Sequence, residues 1–86
     1  MNSTEPTKTF HFNMTSQEIQ EQIQDKVDNL LKGPPSVLRA MANRAHETEE
    51  SVMYFRKRGN KDRVRYEMYD FLRWLEKTLR EQDNYL

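Results

Sequence analysis

The 86-residue chain predicts an all-α domain of three helices preceded by a short β-strand. Three observations predict it. Apolar residues recur at three- and four-residue steps over three long stretches, the mark of helices with one buried face. The only two glycines, Gly33 and Gly59, fall where the first and second stretches stop. Residues 8–14, KTFHFNM, alternate instead, with Phe10, Phe12 and Met14 on one side and Thr9, His11 and Asn13 on the other. That is the two-residue period of a strand with one buried face.

In chain order, residues 1–7 read as a flexible polar tail and residues 8–86 as a single small helical domain. The strand of residues 8–14 has three possible settings. It pairs with its own copy across a two-fold axis, it adds to the sheet edge of a partner protein, or it lies across the helices as an ordered tail. The first helix is expected over about 16–32. Thr15 and Glu18 have the spacing of a capping box, and Met14 and Ile19 that of a hydrophobic staple. Ile19, Ile23, Val27, Leu30 and Leu31 form its stripe. Gly33 supplies a left-handed stop and Pro34 and Pro35 prevent continuation. Ser36 is the expected cap of the second stretch, about 37–58, whose seam is Leu38, Met41, Ala45, Thr48, Val52 and Phe55. Its centre beside Glu47, Glu49 and Glu50 is thin, so one helix, or two broken near 46–49, both fit. Asn60 caps the third helix, about 61–82, with Val64, Met68, Phe71, Leu72, Leu75 and Leu79 on one face. The short link makes the second and third helices an antiparallel hairpin.

Composition narrows the function classes. Lys plus Arg and Asp plus Glu number 14 each, so the formal net charge is zero. No charge repulsion holds the chain open. Hydrophobic residues make up 35%, a scant core for a chain that buries roughly 60–65% of its unfolded surface. Self-association into a homodimer would bury more. Cysteine is absent, which removes disulfides and thiolate metal sites. No apolar run approaches a membrane span, so a cytoplasmic protein with no membrane contact is expected. No glycine-rich phosphate loop or helically spaced histidine pair is present. His46 and Glu50 read as solvated helix surface rather than a base and its orienter. No enzyme activity, metal or cofactor is expected.

Charge is nevertheless segregated. Residues 37–65 carry eight basic and four acidic side chains, and each flanking segment carries three basic and five acidic. The run FRKRGNKDRVRY, residues 55–66, places Arg56, Lys57, Arg58, Lys61, Arg63 and Arg65 at the hairpin tip against Asp62 alone. Such a tip suits phosphates or an acidic protein surface, though cations also simply stabilise a helix C-terminus. On the third helix, Tyr66, Tyr69, Arg73, Lys77 and Arg80 fall opposite the core stripe and Trp74 at its margin. Tyr, Trp and Arg dominate binding hot spots. The alternative is that Trp74 and Tyr69 widen the core face.

A strand running into a capped helix, a glycine turn and a second helix resembles the ribbon-helix-helix repressors of the Arc type over residues 9–45. The resemblance implies a dimer whose paired strands enter the DNA major groove. Thr9, His11 and Asn13 would then read bases, Phe10, Phe12 and Met14 would fill the core, and Ser36 would cap a helix against phosphate. Two functions are therefore expected. The first is a small regulatory protein, an inhibitor or adaptor, that binds another protein stoichiometrically through Tyr66, Tyr69, Arg73, Trp74, Lys77 and Arg80. The second is a dimeric DNA-binding regulator using the strand and the basic tip.

Overall fold

In a computed structural model residues 14–83 are described, and they form three helices. These are α1 (Ser16–Leu30), α2 (Pro35–Lys57) and α3 (Lys61–Asp83). Among the described residues there is no strand. Met14, the last residue of the expected strand, sits in a bend, and the rest of that segment, including Thr9, Phe10, His11, Phe12 and Asn13, lies outside the described residues.

α1 begins as its sequence requires. The Thr15 hydroxyl accepts from the Glu18 N–H at 3.1 Å, and the Glu18 carboxylate accepts from the Thr15 N–H at 2.8 Å. Two otherwise unpaired donors of the first turn are thereby satisfied reciprocally. Met14 packs against the cluster of Ile19, Tyr69 and Leu72, which completes the staple. α1 stops at Leu30 rather than residue 32. Leu31, expected in the buried stripe, is 55% exposed. It lies one residue, about 100° of rotation, past the fully buried Leu30.

Gly33 does not play its expected left-handed role, since only Gly59 has positive φ among the described glycines. Space explains Gly33. A Cβ there would lie 3.0–3.2 Å from the Gln82 side-chain amide and the Leu30 carbonyl. Its N–H closes the turn on that carbonyl at 2.9 Å. The cap of α2 also differs from expectation. Pro34 is the N-cap, with no side-chain cap bond, and Pro35 opens the helix. Proline suits that position because its fixed φ is helical and its missing N–H would have no partner there. Ser36 therefore sits inside the first turn and does not cap.

α2 is one unbroken helix across residues 46–49. Ala45 and Thr48 are half-buried while Glu47, Glu49 and Glu50 are exposed, and no glycine or proline interrupts the run. It ends in a Schellman motif. Gly59 at φ 72° donates to the Arg56 carbonyl at 3.0 Å, and Asn60 donates to the Phe55 carbonyl at 3.0 Å. The Asn60 side chain then accepts from the Arg63 N–H at 3.1 Å, capping α3.

α3 is the central element. α1 and α2 each pack along it and scarcely touch one another. α2 returns antiparallel to it as the expected hairpin, and α1 runs in its direction, with Ile19 against Leu72 and Gly33 beside Gln82. The main core is Leu30, Met41, Phe71 and Leu75, one residue from each outer helix and two from α3. A second cluster joins Ile19 of α1 to Tyr69 and Leu72. Because α3 is gripped from two sides, its buried arc is wider than one stripe. Tyr69, expected opposite the core, is only 6% exposed. Burial pushes its phenol above the usual value of 10.0, with Arg73 opposing the shift and Glu76 adding to it.

A raised phenol value contributes stability that is fully present below the unfolded value and is lost as pH rises through the folded one. Tyr69→Phe removes that contribution. The melting temperature of the native chain is therefore expected to fall more steeply than that of Tyr69→Phe as pH rises above about 10, where the unfolded-state phenol ionises and the buried one resists. Parallel curves above that pH would show that Tyr69 is not buried in the fold.

Candidate interaction surfaces

Two surfaces gather the side chains that the sequence marks. The first is a groove between α2 and α3 of about 360 Å³, lined by Arg44, Asp70, Arg73, Trp74, Glu76, Lys77 and Arg80. Trp74 is half-buried. One side of its indole stacks on Phe71, with ring centroids 6.3 Å apart and planes 14° apart. The Arg44 guanidinium lies 5.9 Å from the ring centroid, within cation–π range. Arg44 also donates to the Asp70 carboxylate at 2.7 Å. Both partners are partly exposed, so the pair adds at most about 1 kcal/mol to stability. Its larger consequence is to hold Arg44 beside Trp74. Arg73, Lys77 and Arg80 are exposed and enter no ion pair within the described residues.

Four of the six partner-binding candidates, Arg73, Trp74, Lys77 and Arg80, thus converge. Tyr69 is in the core instead, and Tyr66 lies toward the far end of α3. Arg44 and Asp70 are the members that sequence reasoning missed. They are 26 residues apart, and only the register of the hairpin brings them together.

The second surface is the hairpin tip. Arg58 stacks 3.7 Å above the Tyr54 ring centroid and donates to the Tyr54 carbonyl at 3.2 Å. Arg63 lies between two rings, 4.8 Å from Phe55 and 5.0 Å from Tyr66. It also binds Glu67 at 2.8 Å, and Arg65 binds Asp62 at 2.9 Å. Arg56, Lys61 and Arg65 line an open groove of about 470 Å³ together with Ser16, Gly59, Asn60, Asp62 and Val64. The basic run is therefore assembled at one end of the molecule. Tyr54 and Met53, 51% and 49% exposed, belong beside it and were not foreseen. Their signal is that both fall off the seam of α2 and are still large and apolar.

Elsewhere His46 and Glu50 approach to 3.4 Å on exposed helix surface, each 69% accessible. Among the described residues, no helix is long and apolar enough to cross a membrane, and no group of three or more His, Cys, Asp or Glu side chains could hold a metal ion. Comparison with known proteins finds no matching family model, no matching curated protein and no matching solved structure.

Proposed function

We propose that this chain is a regulatory binding protein that takes a partner protein into the groove between α2 and α3. One observation carries the reading. An aromatic side chain half-buried on the core is bordered by an arginine at cation–π distance, and three further cations beside it have no ion pair among the described residues. Trp and Arg in such settings are the residue types that dominate interface energetics. Trp74 offers a partner an apolar surface that is already ordered, so little side-chain entropy is lost on binding. Arg44, Arg73, Lys77 and Arg80 outnumber Asp70 and Glu76 in the groove, so a partner presenting an apolar residue among acidic ones is favoured.

The test is affinity capture from an extract of the source organism with two baits, the native chain and the Arg73→Glu, Lys77→Glu, Arg80→Glu variant. All three substituted residues are exposed, so the variant is expected to keep its helical circular dichroism. Proteins retained by the native chain at equal stoichiometry are expected to be lost from the variant. Identical retention on both baits overturns the assignment of the groove.

A further inference from the structure

We propose that α2 pairs antiparallel with α2 of a second copy of this chain, about a two-fold axis at Met53 and through a face separate from the α2–α3 groove.

That face of α2 is uncovered among the described residues. α2 packs along α3 through its seam, and α1 scarcely touches it. His46, Glu50, Met53 and Lys57 follow one another at steps of four, three and four residues, so they line one side of the helix. All four are exposed. At the centre, Met53 and its neighbour Tyr54 are 49% and 51% exposed. Arg58 lies 3.7 Å over the Tyr54 ring centroid, so that ring is already ordered while half of the residue still meets solvent.

Charge names the occupant. Glu49 and Glu50 stand one turn before Met53, and Arg56 and Lys57 one turn after it. Glu49 and Arg56 are seven residues apart, as are Glu50 and Lys57, and seven residues make nearly two whole turns. Each acid therefore shares its side of the helix with a cation, about 10 Å away along the axis and too far to pair within one chain. Glu49, Arg56 and Lys57 enter no ion pair within the described residues. Glu50 turns one carboxylate oxygen, Oε2, toward His46 at 3.4 Å. A second copy laid antiparallel about Met53 brings its Lys57 beside Glu50 and its Arg56 beside Glu49, and the two-fold axis makes each contact twice. The midpoints of the two pairs differ by one residue, about 1.5 Å along the helix, an offset these side chains span. Parallel pairing would set acid against acid. A uniformly acidic partner would meet Glu49 and Glu50, and a uniformly basic one would meet Arg56 and Lys57. A second copy satisfies both halves at once.

Size sets the strength. The shared segment, residues 49–57, is about 13 Å of helix, less than a standard interface covers. The dimer is therefore weak and reversible, with a dissociation constant on the order of 0.1 mM.

The experiment is sedimentation equilibrium on the full chain, with the fold of every variant checked by circular dichroism. Between about 10 μM and about 1 mM protein, the average mass is expected to rise from one chain toward two. Raising salt from about 50 mM to about 0.5 M is expected to weaken association severalfold, because the pairs lie at the surface. Glu49→Lys with Glu50→Lys is expected to weaken it at least about tenfold, and so is Arg56→Glu with Lys57→Glu. An equimolar mixture of these two variants is expected to regain at least the native association, since every contact between them joins unlike charges. Glu21→Lys with Asp25→Lys makes the same change of net charge on α1 and is expected to leave association unchanged. Met53→Ala is expected to weaken it about fivefold. A native chain that stays monomeric at about 1 mM, a mixture no more associated than its components, or equal weakening by the α1 substitutions would each overturn the proposal. Native association of the Glu49→Lys, Glu50→Lys variant or of Met53→Ala would overturn it as well.

Discussion

Leu75→Ala is expected to lower the unfolding free energy by about 2–5 kcal/mol. Leu75 is fully buried and belongs to the cluster where α1, α2 and α3 meet, with Leu30, Met41 and Phe71. Truncation removes the transfer free energy of the lost carbons and leaves a cavity that three helices must close at once. A chain of this size has roughly 4–13 kcal/mol of stability in total, so the loss is a large share of it. Leu31→Ala is the control. The same chemical change at a position 55% exposed is expected to shift stability by no more than about 0.5 kcal/mol. Urea denaturation of the two variants beside the native chain reads the difference directly. Equal midpoints for the two leucine variants would mean that α3 does not pack between the outer helices as described.

Trp74→Ala is expected to weaken the captured partner by about 30-fold or more, since a central aromatic hot spot contributes roughly 2 kcal/mol or above. Trp74 also packs on the main core, so truncation costs some stability as well. Titration calorimetry well below the melting temperature, with the folded fraction checked by circular dichroism, separates the two effects. Arg44→Ala supplies the second arm. It leaves the indole in place but removes the cation beside it, and a smaller loss of affinity is expected. If folded Trp74→Ala binds the partner as tightly as the native chain, the groove is not the interface.

Local signals were legible because their physics is local. The capping box of Thr15 and Glu18, the staple of Met14 and Ile19, the helix stop at Gly59 and the Asn60 cap each involve residues within a turn of one another. The stripes of the three helices follow from a 3.6-residue period, and the concentration of cations in residues 55–66 follows from composition. Local chemistry misled only at the α1–α2 turn. There proline geometry displaced the Ser36 cap, and the Gln82 side chain, 49 residues away from Gly33, set the demand for glycine.

Tertiary structure decided everything that depends on how many neighbours a helix has. A hydrophobic stripe predicts one buried face. α3 buries two, because α1 and α2 pack on it from different sides and scarcely on each other. Tyr69 accordingly left the candidate binding surface for the core. The same register placed Arg44 against Asp70 and over Trp74, and Arg63 between Phe55 and Tyr66. Periodicity constrains each helix about its own axis and says nothing about the rotation and offset between helices. Those are set by the packing of side chains from separate stretches of chain, so the fold class was readable in the sequence while the pairings that build both candidate surfaces were not.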